Sequence, residues 1–286
     1  MSSTTTKTIL VPGAWMGAWI WDATVHALTA RGLNAETMTL RGLEPDAERS
    51  QVAAIRLEDH VRQLADITAG HDGPVVLVSH SYSAAVTAQV ADRLGDRVAG
   101  LIHIGGFLPA DGRCLLDDWG DSDSERDQER ADIADAGDLW LPPSRAMLEY
   151  ETDLDGTDRD FLAENFTPHP GRTVTDTATL DADIATKPTT YVALSTQGPK
   201  TAWDEAPRAA REASTWRRQH INSGHWPMLS ATNDTVTLLS TEIDHYAGPR
   251  LGLRVPRVCA AAHRPPSSFR ARFLPELPAD RTSTAW

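Results

Sequence analysis

An apolar run that ends in a tight turn of small residues constrains this fold more than any other feature. Residues 75–78 are four consecutive apolar residues, three of them β-branched, and residues 79–85 are mostly small. The residues that follow, up to Ala91, suit a helix. This pattern predicts a buried strand, a sharp turn and a helix. The turn places the hydroxyl of Ser81 above the edge of the sheet, beside helix amides that favour negative charge.

Turns of this kind usually have the pattern G-x-S-x-G, and this chain departs from it. Ser79 and Ser83 stand where the two glycines would be. Small residues are needed there because the strand and helix backbones pass close together, and serine costs more than glycine where φ is positive. At this point an ordinary strand-to-helix junction with an incidental serine explains Ser81 equally well.

Length, charge and residue spacing exclude several classes of protein. With 286 residues, of which 41% are hydrophobic, the chain can form one large α/β domain or two small ones. Its net charge of −13 argues against nucleic acid and anionic membrane as partners. Neither the cysteines, Cys114 and Cys259, nor the histidines have metal-ligand spacing, and no G-x-G-x-x-G is present. We therefore expect neither a metal nor a cofactor.

Several features predict a cytoplasmic protein. Two widely separated cysteines without redox spacing are typical of free thiols in a reducing compartment. The first seven residues contain no apolar run that resembles a signal peptide. No later apolar stretch is long enough to span a bilayer.

Strand-like and helical segments alternate along the first 110 residues. The predicted strands are residues 8–11, 34–40, 75–78 and 97–106, and the predicted helices between them include residues 22–31 and 57–69. This alternation indicates an α/β fold with a mostly parallel sheet, helices on both faces, and a ligand crevice at the carboxyl ends of the strands.

The pattern is interrupted after residue 112. Residues 113–185 combine an acidic run with scattered aromatic residues, and strand-like sequence resumes only at 189–194. We interpret this segment as a cap inserted over the crevice of a single domain, residues 1–247. A helix at about 204–218, a short strand near 219–221 and a final helix at 234–246 complete that domain.

The C-terminal segment has a different composition. Residues 248–286 contain six prolines and seven arginines against two acidic residues, a local charge of +5. No helical or alternating pattern is present there. We therefore expect a Pro/Arg-rich tail that is poorly ordered.

Three separated segments contain the parts that acyl transfer requires: Pro12-Gly13-Ala14 after the first strand, Ser81, and His225 after the last strand. A serine hydroxyl is a weak nucleophile unless an imidazole takes its proton, and the oxyanion needs two backbone N–H donors. At these residues the chain resembles the α/β-hydrolases, in particular the branch of methyl-salicylate-type esterases and hydroxynitrile lyases with their bacterial relatives. The resemblance covers about residues 7–246. The matching segments are residues 10–21, 79–83, 107–109 and 223–229.

The resemblance implies a role for each of these residues. Ser81 would be the nucleophile and His225 the general base, and the backbone amides of Ala14 and Tyr82 would form the oxyanion hole. It also implies an α/β-hydrolase fold with a small-molecule substrate, and it leaves a homodimer open.

Three positions separate the esterases from the lyases of this branch. The lyases have threonine where this chain has Gly13, glutamate where it has His80, and lysine where it has Trp226. That lysine stabilises the cyanide leaving group, and tryptophan carries no charge to replace it. All three positions favour ester hydrolysis.

The acid of the triad departs from the family pattern. The family's acid follows the strand at 189–194, where this chain has Gln197, which can accept a hydrogen bond from the imidazole but cannot stabilise an imidazolium by charge. Asp204 and Asp111 are alternatives that the sequence does not decide. A helix start explains Asp204, and a loop turn explains Asp111, more simply than a catalytic role does.

Taken together, the sequence predicts a serine hydrolase that cleaves a small, largely apolar carboxylic ester, lactone or thioester through an acyl-enzyme. Two alternatives remain open. One is a non-hydrolytic lyase or cyclase on the same scaffold, in which the missing acid does not matter. The other is a catalytically impaired homologue that only binds a ligand.

Overall fold

The structure is a computed structural model that describes residues 6–248. Nearly all of the predicted tail, including Cys259, lies outside the described residues. Cys114 is a free, buried thiol. Among the described residues, no helix combines the length and the apolar character needed to cross a membrane.

Within residues 6–248, eight strands form two sheets. The strands are β1 (Lys7–Val11), β2 (Asn34–Thr37), β3 (Val75–His80), β4 (Val98–Ile104), β5 (Leu139–Trp140), β6 (His169–Pro170), β7 (Thr189–Leu194) and β8 (Arg217–Ile221). Six of them form one parallel sheet in the order β2-β1-β3-β4-β7-β8, and β5 pairs with β6 antiparallel. The prediction of an α/β fold with a mostly parallel sheet is confirmed.

The helices of the described residues follow the strands along the chain. They are α1 (Asp22–Ala30), α2 (Arg49–Ala54), α3 (Leu57–Ala69), α4 (Ser83–Leu94), α5 (Asp123–Asp135), α6 (Gly156–Asn165), α7 (Arg172–Thr175), α8 (Pro199–Glu205), α9 (Arg208–Glu212), α10 (Pro227–Ser230) and α11 (Thr232–Ala247). The helix predicted at 57–69 matches α3 at both ends, because its apolar residues recur at helical spacing.

Alternate residues of the buried strands face two separate cores. On one face Ile9 and Leu77 pack with Val61 of α3 and Val86 of α4. On the other face apolar residues of the same strands pack against the opposite helices, α1 and α11; they include Leu10, Val76 and Val78. Helices therefore cover both faces of the sheet, as the side-chain alternation of a buried strand requires.

The helix predicted at about 204–218 is wrong. α8 ends at Glu205, and Ala206 is extended, with φ −62° and ψ 150°. Pro207 explains this break, because a proline disfavours the helical conformation of the residue before it. Residues from Arg217 then form β8 at the edge of the sheet, where polar side chains are tolerated.

The segment between β4 and β7 contains β5, β6 and helices α5 to α7. It contacts the loop that follows β1. Trp15 Nε1–H donates to the Trp140 carbonyl at 3.0 Å, and Thr167 N–H donates to the Trp15 carbonyl at 3.0 Å. The segment therefore lies over the carboxyl end of the first strand.

Candidate active site

Ser81 occupies a strained backbone conformation between β3 and α4. Its φ is +51°, in the left-handed region that residues with a Cβ rarely adopt. Its amide donates to the Ile104 carbonyl at 3.2 Å, and the residue is 8% exposed. A serine held in this way on a sharp strand-to-helix turn has the geometry of a nucleophile elbow.

The two serines that replace the expected glycines make buried hydrogen bonds. Ser79 Oγ lies 2.6 Å from His103 Nδ1. Ser83 Oγ accepts from the His80 amide at 3.0 Å and lies 2.9 Å from the Val11 carbonyl oxygen, to which it donates. Both side chains are fully buried. Ser83 thus links the turn directly to the end of β1, just before the loop that contains Ala14.

A glycine on the neighbouring strand makes room for the turn. Gly106 follows β4 with a φ of +98°, and a Cβ added there would lie 2.4 Å from Ser81 Cα. No side chain fits at that distance. The backbone of Ser81 therefore depends on the absence of a side chain at position 106.

The two predicted oxyanion donors lie on the loop after β1 and at the start of α4. Among the hydrogen bonds of residues 6–248, none uses the amide of Ala14 or that of Tyr82. Both residues are buried. The amide of Tyr82 also begins the N-terminal end of α4, whose dipole favours negative charge. Both amides are therefore available to an oxyanion.

Two buried histidines hold Tyr82 and Trp15, the residue that follows Ala14. The Tyr82 hydroxyl donates to His60 Nδ1 at 2.8 Å, because His60 Nε2–H donates to the Arg41 carbonyl. The Trp15 amide donates to His169 Nδ1 at 3.4 Å. Burial lowers the pKa of His60 to about 4, so its ring is neutral at pH 7. The described part of the chain has no group of three histidine, cysteine or carboxylate side chains that could bind a metal ion.

His225 lies on the loop between β8 and α10. His80 Nε2–H donates to the His225 carbonyl at 2.7 Å, and the two imidazole rings are 4.7 Å apart. Because His80 precedes Ser81, this bond joins the loop of the predicted base to the nucleophile turn. No direct hydrogen bond joins Ser81 Oγ to the His225 ring within the described residues. Such bonds often tighten only when substrate binds.

Burial keeps the predicted base neutral. It lowers the pKa of His225 to about 4, and the Asp153 carboxylate opposes this shift. Burial, and then the charge of His225, lower the pKa of His80 well below its usual value. The His225 imidazole is therefore neutral at pH 7, and its unprotonated ring nitrogen can act as a base.

None of the three candidate acids from the sequence has a recorded contact with His225 in residues 6–248. The Gln197 side chain is exposed and donates to Thr196 Oγ1 at 3.4 Å. Asp204 is exposed on α8 and pairs with Lys200. Asp111 accepts from the Leu180 amide at 3.0 Å. Among the described residues, Gln197 therefore makes no hydrogen bond to the His225 imidazole that would support the orienting role predicted for it.

Two carboxylates that the sequence did not single out lie against the His225 loop instead. Asp153 Oδ2 accepts from the Gly224 amide at 2.6 Å and from Ser223 Oγ at 3.2 Å. Glu151 Oε2 lies 3.1 Å from the position of a Cβ added at Gly224. Both belong to the segment between β4 and β7, far from His225 in sequence, so no local motif could have identified them.

Aromatic side chains lead from the donor loop to His225. Trp15 lies 4.3 Å from Trp140 and 6.3 Å from Phe166 between ring centroids. Phe166 lies 6.2 Å from Trp226, which in turn lies 5.0 Å from the His225 ring. The surroundings of the candidate site are therefore largely apolar.

Comparison with known proteins agrees with this geometry. A model of the family described as "Alpha/beta hydrolase family" matches residues 8–237. The chain is similar to the carbendazim hydrolyzing esterase of Nocardioides sp. (strain SG-4G), with 36% identity over 109 residues, which are 38% of this chain and 45% of that protein. It is also similar to the pyrethroid hydrolase of Sphingobium wenxiniae, with 34% identity over 38% of this chain and 39% of that protein. The matched part is less than half the length of each of these relatives.

Solved structures share the whole architecture. An extracellular alpha/beta-hydrolase from a Paenibacillus species has a TM-score of 0.68, and the alignment covers 84% of this chain and 98% of that one. Their sequence identity is 16%, so this likeness concerns the fold alone.

Proposed function

Because the chain belongs to the alpha/beta hydrolase family, we propose that it is a serine esterase that acts on a small, largely apolar carboxylic ester, lactone or thioester. The family membership confirms the resemblance that the sequence predicted. The observation that carries the proposal is the positive φ of Ser81 at the strand-to-helix turn. An incidental serine has no reason to be held in a strained conformation at such a turn.

The proposed reaction has two steps on the same residues. His225 takes the proton of Ser81 as the serine oxygen attacks the carbonyl carbon, and the amides of Ala14 and Tyr82 stabilise the oxyanion. The carbon–oxygen bond to the leaving alcohol breaks, and His225 returns the proton to that alcohol. Water, activated by the same imidazole, then hydrolyses the acyl-enzyme and releases the acid.

The apolar surroundings support the substrate class. Trp15, Trp140 and Phe166 surround the donor loop, and Trp226 stands beside His225. Rings in these positions bury apolar surface of a ligand and offer no charge to a polar one. We therefore expect hydrolysis to favour esters with apolar acyl groups over those with charged ones.

A fluorophosphonate probe tests the proposal on the full chain. We expect stoichiometric labelling, loss of p-nitrophenyl butyrate hydrolysis on labelling, and a single modified serine within the peptide that contains the turn. Fragment masses must place the label on Ser81, because Ser79 and Ser83 belong to the same peptide and their hydroxyls are buried in hydrogen bonds. A protein that neither labels nor hydrolyses any ester in such a panel would refute the esterase.

The space around Gly106 gives a further prediction. We expect Gly106→Ala to lower kcat/KM by about 10²-fold, because the new Cβ would collide with Ser81 Cα and a misplacement of a reacting group by about 1 Å can cost that much. Gly112→Ala is a matched control, since Gly112 also has a positive φ, +72°, but nothing lies within 4 Å of its added Cβ. Ester kinetics of the two variants provide the measurement. Equal losses in both would show that backbone strain, and not the collision, matters.

A further inference from the structure

The loop that follows β7 cannot supply the acid of a triad. From Ser195 onward the first carboxylate is Asp204, which is exposed and paired with Lys200. An imidazole that takes a proton from serine still needs a negative charge nearby, because the imidazolium is otherwise costly in a buried site. The charge must therefore come from another part of the chain.

We infer that Asp153, carried by the segment between β4 and β7, positions His225 and stabilises its protonated form in place of an acid after β7. The inference rests on the proposed esterase function and names a positioning residue for it. Asp153 acts through His225 and does not touch the substrate.

Geometry carries this inference. The Asp153 carboxylate accepts two hydrogen bonds from the residues just before His225, from the Gly224 amide at 2.6 Å and from Ser223 Oγ at 3.2 Å. A Cβ added to Gly224 would lie 2.4 Å from Asp153 Oδ1, so only glycine lets the carboxylate come this close. Asp153 thus fixes the backbone of the His225 loop from one side, and His80 fixes it from the other.

Of the ionisable groups beside His225, Asp153 is the one that we assign as its anionic partner. His80, from the end of β3, is neutral. Burial, and then the charge of Asp153, raise the pKa of Glu151. The backbone of His225 and the charge of Arg159 oppose this shift without cancelling it. The raised pKa makes Glu151 a weaker second anion. Asp153 favours the charged form of His225, in the direction that the imidazolium intermediate requires.

Asp153→Asn separates the charge from the hydrogen bonds, because the amide oxygen can still accept from Gly224 and Ser223. We expect kcat for p-nitrophenyl butyrate to fall by about 10- to 100-fold with KM unchanged. Removing the anion also lowers the pKa of His225, so the acid limb of kcat/KM, near pH 4 in the wild type, should move to lower pH. Two control variants should leave the acid limb of kcat/KM nearly unchanged. Asp204→Asn removes an exposed carboxylate, and Ser223→Ala removes one hydrogen bond but no charge.

A measurement on the resting protein separates this inference from the esterase proposal. The titration of the His225 imidazole is followed by ¹⁵N NMR, with its signals assigned from the spectrum of His225→Gln. We expect the His225 pKa to be about one unit lower in Asp153→Asn than in the wild type and unchanged in Asp204→Asn. This holds even for a protein that hydrolyses no ester. An unchanged His225 pKa in Asp153→Asn would overturn the assignment of Asp153. So would a loss of activity in Asp204→Asn as large as the loss in Asp153→Asn.

Discussion

Ser81→Ala is expected to lower kcat for ester hydrolysis by about 10⁶-fold, the size of loss that follows removal of a serine nucleophile or its base. The proposed oxyanion donors, the amides of Ala14 and Tyr82, remain in this variant, so a small residual rate above that of water should survive. His225→Ala is expected to lose nearly as much, and the two losses should not add, because the serine and the imidazole act in the same step. Burst and steady-state kinetics with p-nitrophenyl butyrate provide the measurement.

Ser83→Ala is the matched control for Ser81→Ala. It removes a hydroxyl two residues away, on the same turn, that binds the Val11 carbonyl. Leaving that buried carbonyl without its partner costs about 1–3 kcal/mol of stability and little chemistry. A Ser83→Ala enzyme as inactive as Ser81→Ala, or a Ser81→Ala enzyme that still forms an acyl adduct, would show that Ser81 is not the nucleophile.

Glu242→Ala is expected to lower the free energy of unfolding by about 3 kcal/mol, or the melting temperature by about 10 °C. Glu242 is fully buried on α11 and accepts hydrogen bonds from Arg217, Thr190 and Gln219 on β7 and β8. Its removal leaves these donors without their acceptor, although Arg217 is 37% exposed and can regain some water. Urea unfolding provides the measurement. Glu212→Ala, which breaks an exposed pair with Arg208, should change the same free energy by less than about 1 kcal/mol.

The contribution of Glu242 should depend on pH with a definite sign. Burial alone would raise its pKa, but the hydrogen bonds and charge of its partners, led by Arg217, outweigh burial and lower it. A carboxylate with a lowered pKa stabilises the folded state above its unfolded pKa, and that contribution is lost as the pH falls through the folded value. The difference in stability between wild type and Glu242→Ala should therefore shrink below about pH 4. A difference that stays constant down to pH 3 would contradict an ionised Glu242.

The sequence predicts the bounds of elements that have a clear periodic pattern, and it misplaces the bounds of those that a proline or the sheet edge decides. The amphipathic spacing of α3 and the apolar run of β3 identify both elements, because one apolar face must be buried in each case. Between residues 199 and 221 the pattern fails. There Pro207 divides the predicted helix. The short strand predicted near residues 219–221 covers only the end of β8, an edge strand whose polar residues do not alternate with apolar ones.

The candidate site also combines residues that the sequence predicts with one that it does not. Ser81, His225 and the donor loop stand at the ends of predictable strands, so topology alone gathers them at one edge of the sheet. Asp153 comes from the segment between β4 and β7, whose path over the sheet depends on tertiary contacts such as the one between Trp15 and Trp140. The one sequence signal that pointed to it was negative, the lack of a carboxylate just after β7.

The packing of Gly13 against His80 makes these two positions epistatic. A Cβ at Gly13 would lie 2.7 Å from His80 Nδ1, while His80 Nε2 is engaged by the His225 carbonyl and so cannot turn away. The lyases that this chain resembles have a threonine at the first position and a glutamate at the second. A lineage that exchanged one pair for the other would therefore have to replace the histidine before it could accept the threonine. The hydrogen bond between His80 and the His225 carbonyl therefore also restricts the order in which neighbouring substitutions are accessible.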